Sequence, residues 1–352
     1  MAQKNKEVNP RLGKAGGQAL MEGIMMNGPE GAAMSVRKTD GSIITVPKEF
    51  THVRDKVKFL GLPVIRGIVN FVESMLLGYK CLMESAELSG QLELEESEEE
   101  MSKFDKWLSD HFGPKMMAVI SGIAMVFGVA LSFLLFVYVP SILVRLFDTH
   151  VLGDFMLNNA MRPLIEGIIR IAIFIGYLAA VTNMKDIKRV FMYHGAEHKT
   201  IFCYESGEEL TVENVRKYSR FHPRCGTSFM FIMLIFSILA SSALAVILKQ
   251  FPNLMIGGVH ILNVTWAWSI IKVLILPLVM GVGYEFLKFS GKYSESKIMK
   301  VLIAPGLWMQ RLTTKEPDDD MIEVGITALK AVTEGIPAQE NTESADEEKE
   351  SD

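Results

Sequence analysis

From Met116 to Val144 the chain runs 29 positions without a charged residue, more than the roughly 20 a helix needs to cross a bilayer. A second uncharged stretch, Cys225 to Leu248, is as clear. Two more apolar segments carry some charge: LIEGIIRIAIFIGYLAAVT (164–182) holds Glu166 and Arg170, and VTWAWSIIKVLILPLVMGVGYEFL (264–287) holds Lys272 and Glu285. Read as helices, they predict four spans at about 116–140, 164–182, 226–248 and 264–284, the first bent at Pro140. The expected fold class is an all-α polytopic membrane protein, a four-span helical bundle within 115–287.

Upstream the pattern changes. AAMSVRKTDGSIITVP (32–47) has strand-like residues on both sides of Asp40-Gly41, a dipeptide that favours a tight turn, so a small cytoplasmic β-hairpin region is expected within 1–56. GKAGGQALMEGIMMNGPEGAAMSVR (13–37) is glycine-rich, but its spacing matches neither a P-loop nor a dinucleotide fingerprint. A structural loop is expected there rather than a phosphate cradle. FLGLPVIRGIVNFVESMLLGYKCL (59–82) is apolar, with Pro63 placed to open a helix and with Arg66 and Glu73 along it. A crossing here would put the lysine-bearing segment 103–115 outside and invert everything after it, so 57–83 reads as an interfacial or re-entrant helix. PVIRGIV (63–69) echoes PLIEGII (163–169), and LMEGIM (20–25) aligns with the same string, which makes a candidate internal repeat.

Composition agrees with a membrane protein, at 49% hydrophobic and 22% charged residues. The formal net charge of −5 comes from acid concentrated in two segments, 84–114 and 336–352, which read as an acidic linker and a disordered tail. Cys81, Cys203 and Cys225 are too few and too uneven for a secreted disulfide framework. The first 50 residues show no signal-peptide pattern. Orientation follows from loop charge: the loop 183–225 holds eight Lys or Arg and the loop 147–163 holds only Arg162. The basic loop, the N-terminus and the C-terminal segment 288–335 are therefore expected in the cytoplasm, with Trp266 and Trp268 at the outer interface. Because topology accounts for the basic residues, the bilayer is the expected partner and nucleic acid is not.

YHGAEHKTIFCYE (193–205) carries the strongest chemical signal, His-x-x-Glu-His. On a helix, His194 and His198 lie four apart on one face, and Glu197 reaches the same side. This is the inverted zinc-peptidase pattern, in which both His bind Zn²⁺ and the Glu takes a proton from the attacking water. A third ligand is needed, and Glu285 and Cys225 compete for the place, with His222 in FHPRCGTSF nearby in sequence. The rival reading is a solvated polar cluster at a membrane surface. Glu166 and Arg170, an i, i+4 pair inside a span, are expected to neutralise each other or to line a polar pocket that Lys272 joins. Arg66 and Glu22 are further polar candidates.

GGQALMEGIMM (16–26), PVIRG (63–67), ESMLLGYK (73–80), RVFMYHGAEHKTI (189–201), HPRCGTSF (222–229), GYEFLK (283–288) and PGLWMQRLTTKEPDD (305–319) together resemble the YqhQ family of bacterial membrane proteins. The resemblance implies a multi-pass protein of a bacterial plasma membrane and carries the label of predicted metal-dependent enzyme, with no activity attached. Residues and resemblance together point to a membrane-embedded, metal-dependent hydrolase. It would act near the cytoplasmic interface on a peptide or lipid-linked substrate, with Glu197 as general base and zinc on His194, His198 and either Glu285 or Cys225. The alternative is a non-enzymatic membrane factor, a transporter or an assembly scaffold.

Overall fold

The computed structural model describes residues 11–48, 53, 57–90, 114–152, 161–293 and 296–335. The glycine-rich segment expected as a loop is instead most of a four-stranded antiparallel meander: β1 (Gly16–Leu20), β2 (Gly23–Gly28), β3 (Gly31–Arg37) and β4 (Ile43–Lys48), in the order β1-β2-β3-β4. The alternation that would mark a strand is missing because the sheet is covered on both faces. Ile24, Met26 and Ala33 face one core, while Leu20, Met25, Met34 and Val36 face another with Cys81. The turn at Asp40-Gly41 forms where the sequence expects it. Asp40 Oδ1 accepts from the Ser42 amide at 2.8 Å and Gly41 has φ +85°.

Helix α1 (Ile65–Leu88) covers the second sheet face and packs against a later helix through Gly67. It contains residues 65–83 of the segment expected as an interfacial or re-entrant helix, whose start is a separate short 3-10 turn, Lys58–Gly61. Residues 84–88, expected in the acidic linker, extend it, whereas 91–113 and the tail 336–352 lie outside the described residues.

The apolar chain continues through α2 (Pro114–Phe133), a π turn (Leu134–Tyr138) and α3 (Val139–Phe147). Pro140 does not end the helix: it lies just beyond the π turn inside one continuous helix, and the Phe136 carbonyl four residues back accepts from Arg170 instead. Helix α4 (Met161–Val181) follows, then α5 (Lys185–Ser206), short α6 (Val212–Arg216) and α7 (Gly226–Lys249). After a small hairpin, α8 (Thr265–Leu274) and α9 (Leu276–Lys292) meet at a bend, and α10 (Lys297–Thr313) and α11 (Asp319–Thr333) complete the described chain. Among the described residues, three stretches are long and apolar enough to cross a membrane, Met125–His150, Met161–Val181 and Phe229–Lys249, and the α8–α9 pair, bent by 41°, makes a fourth if taken as one span.

Three sequence expectations need correction. Trp268, expected at an interface, is 1% exposed in a core with Ala245 and Leu262, because its side of α8 faces α7; Trp266 is exposed. The candidate repeat is not structural in its first copy, since LMEGIM turns from β1 into β2 while LIEGII is helical. Glu166 is buried against Lys272 (2.7 Å) and Arg162 (3.3 Å), not against Arg170. Arg170 donates to the Phe136 carbonyl (2.8 Å) and to Ser237 (3.2 Å).

Candidate metal centre

The His-x-x-Glu-His segment lies in α5, which packs on β1 and β2 and against α11. Its Tyr193, Ala196 and Ile201 enter the core that the sheet forms with α11. Glu22, in the β1–β2 turn, accepts from Arg189 at 2.5 and 2.6 Å and from the Tyr193 hydroxyl at 3.1 Å, so this candidate anchors α5 to the sheet. On the other side the chain after α10 runs along α5. Lys315 N–H donates to the Phe191 carbonyl at 2.8 Å, and Lys199 pairs with Glu316. Gly195 admits this close approach, since a Cβ there would lie 2.0 Å from the Lys315 carbonyl oxygen.

These contacts orient both imidazoles. His194 Nδ1 meets the Thr313 carbonyl at 2.8 Å and His198 Nδ1 meets the Arg220 carbonyl at 2.5 Å. A carbonyl only accepts, so each Nδ1 carries the proton and each Nε2 is left as a lone-pair donor, the arrangement of metal-ligating histidines. Cys225, the N-cap of α7, brings its Sγ to 3.2 Å from His194 Nε2. One donor atom from each of His194, His198 and Cys225 lies within 4.8 Å of the others. Two ligands of a tetrahedral zinc at roughly 2.0–2.3 Å lie about 3.3–3.8 Å apart, so the triad could hold an ion after contracting by up to roughly 1 Å.

Glu285 is not brought to this cluster. It accepts from Arg66 at 2.6 and 2.5 Å and ties α9 to α1. His222 is close, its ring 5.5 Å from that of His198, but its Nε2 faces Glu205 at 3.7 Å and its backbone is clamped by Gln310 at 2.8 and 2.7 Å. Burial holds its imidazole below the usual value, so it stands as a neutral wall. Glu166 and Arg170 belong to the separate charge group in the bundle.

Glu197 is 5% exposed and lines the same cleft as the triad, a hollow of about 420 Å³. Burial raises its carboxyl above the usual carboxylate value, opposed by His194 and by the hydrogen bond from the Gly17 backbone. Gly17 is required for closeness, because a Cβ would stand 2.7 Å from the Met25 carbonyl oxygen and 3.1 Å from Glu197 Cγ. Reading 13–37 as a loop missed this role for β1; the paired glycines at Gly16-Gly17 were its only signal. The carbonyls of Thr313 and Arg220 leave no signal in a sequence at all.

Fold and site together define a helical protein with apolar helices of spanning length, a sheet-and-helix unit, and a buried His/His/Cys group where the two meet. A family profile described as "Protein of unknown function (DUF1385)" matches residues 62–335. "Uncharacterized protein YqhQ" of Bacillus subtilis (strain 168) is 35% identical over 316 residues, 89% of this chain and 90% of that protein. The chain belongs to this family, as its motifs imply. No solved structure matches it.

Proposed function

We propose that this protein is a membrane-embedded, metal-dependent hydrolase working at the cytoplasmic interface of a bacterial plasma membrane. The observation that carries this reading is the convergence of His194, His198 and Cys225 donor atoms within 4.8 Å beside a buried carboxylate, Glu197. Three protein ligands leave one position open, the mark of catalytic rather than structural sites, and zinc suits the N/N/S donor set. When bound, the ion supplies Lewis acidity to the scissile group and to the attacking water. Glu197 takes the water proton on a carboxylate oxygen, a role that burial favours by making the carboxylate a stronger base. Gly17 N–H keeps that carboxylate in place, and the 420 Å³ cleft admits the reacting part of a substrate.

The test is metal content with a conservative variant. Full-length protein purified without chelator should carry about one zinc per chain, and His198→Ala should lose it. Glu197→Gln should keep the zinc and lose release of new polar products from membrane extracts, read by mass spectrometry. Wild-type protein without metal, or full function in Glu197→Gln, would end the enzyme reading. A second reading, a transporter or assembly scaffold, is favoured by one observation. Four ionisable groups, Arg162, Glu166, Arg170 and Lys272, are buried among the candidate spans, where such groups commonly mark a transport route.

A further inference from the structure

Beside the metal-centre cleft lies a second hollow of about 490 Å³, walled by Phe136, Phe174, Met233, Leu276 and Val279 among others. Met230 belongs to the walls of both, so the two are neighbours across one side chain. That side chain is unbranched, half exposed and flexible, a barrier easily moved. The hollow presents carbon. Its polar neighbours Arg170 and Ser237 bond each other at 3.2 Å, and Arg170 donates to the Phe136 carbonyl, so they offer little to a polar guest.

Depth along α7 says which guest fits. Cys225 caps the helix, and the stretch long and apolar enough to span begins at Phe229, roughly 6 Å further along the axis. The metal centre is therefore level with the start of the hydrocarbon, where the head of a lipid sits. Met230, Met233 and Ser237, at i, i+3 and i+7, line the hollow along one face of the helix, reaching roughly 18 Å from Cys225. A molecule filling both spaces has a polar end at the His/His/Cys group and a hydrocarbon end among the spans. A peptide would bury unpaired amides in the second space at a cost of several kcal/mol each.

We infer that the substrate is a lipid or lipid-linked ester whose hydrocarbon chain lies in the α4–α7–α9 hollow and whose polar head reaches His194, His198 and Cys225. This rests on the metal-dependent hydrolase reading and narrows its substrate. One water is consumed: its oxygen joins the acyl or phosphoryl centre, the ester C–O or P–O bond breaks, and Glu197 passes the water proton to the leaving oxygen.

The experiment uses full-length protein in nanodiscs of phosphatidylethanolamine and phosphatidylglycerol, with traces of two photoreactive phosphatidylglycerols, one bearing its diazirine at the chain end and the other in the head. The tail probe should mark Met233 or Val279 and the head probe Gln18 or Phe191. Ser237→Trp, which fills the hollow, should cut both by about tenfold while labelling of the bilayer-facing Val246 and Ile247 persists. Val279→Phe should act in the same direction, and zinc content serves as the folding control for both variants. Tail labelling without head labelling of the cleft would mean ordinary boundary lipid and overturn the inference. So would labelling unchanged in both variants. Loss of zinc in wild type with both probes still in place would instead overturn the hydrolase reading alone.

Discussion

His194 and His198 are oriented by main-chain carbonyls of Thr313 and Arg220, so the candidate metal centre depends on two backbone positions outside the motif. On the same scale, the geometry favours Cys225 over Glu285 for the proposed third ligand. Cys225 stands 3.2 Å from His194 Nε2, while both Glu285 oxygens are taken by Arg66. Cys225→Ser should therefore lower zinc occupancy strongly, since a hydroxyl is a poorer donor to this ion. Glu285→Gln should leave zinc in place and weaken the hold of α1 on α9. Inductively coupled plasma mass spectrometry reads the first effect and thermal unfolding the second. Equal zinc loss in the two variants would mean that Glu285 moves to the site when metal binds.

At the scale of elements, α5 owes its position to what presses on both sides of it. Gly195 lies against the chain that follows α10, at Lys315 and Pro317, and a larger side chain there must push the Lys315 carbonyl away. Gly195→Val should cost about 1–3 kcal/mol by overpacking and should lower zinc occupancy with every ligand still present, because the Thr313 carbonyl shifts with its neighbours. Unfolding and zinc content measured together check this, and normal zinc in a destabilised protein would show that the carbonyl clamp is dispensable. The candidate spans offer a second case. Lys272 Nζ meets Glu166 at 2.7 Å and Ser141 at 2.5 Å, so Glu166→Gln strands a buried cation and should cost roughly 3–5 kcal/mol. Adding Lys272→Met should recover part of that loss, and adding Arg170→Gln should not. Equal recovery by the two second changes, in a double-mutant cycle on thermal stability, would restore the i, i+4 pairing that the sequence alone implies.

The whole molecule joins distant parts of the chain. Sheet strands from the first 48 residues share one core with α11, whose Ile322, Val324, Ala328 and Leu329 are each at most 1% exposed. That core and α5 hold the His/His/Cys cluster against the end of α7, one turn from the candidate span. If the basic loop 183–225 is cytoplasmic, both termini are too. A reporter after Asn183 or at the C-terminus should then be cytoplasmic and one near Asp154 external. The same side for Asn183 and Asp154 would remove α4 from the spans.

Much of this was legible in the chain. Long uncharged runs can be buried only in hydrocarbon or in each other, so α2 and α7 follow from composition at their positions, and the i, i+4 spacing of His194 and His198 puts both rings on one face of any helix. Family membership also rests on sequence alone. Three features were decided only by the tertiary structure. Strands covered on both faces lose the alternation that identifies them, which hid β1 and β2 among glycines, while the β3–β4 hairpin was legible from its turn. An ion pair needs proximity in space, and proximity between helices selected Lys272 over Arg170 for Glu166 and Arg66 for Glu285. The triad itself was completed by Cys225 because α7 begins beside α5, and no local pattern records where the end of one helix meets the middle of another.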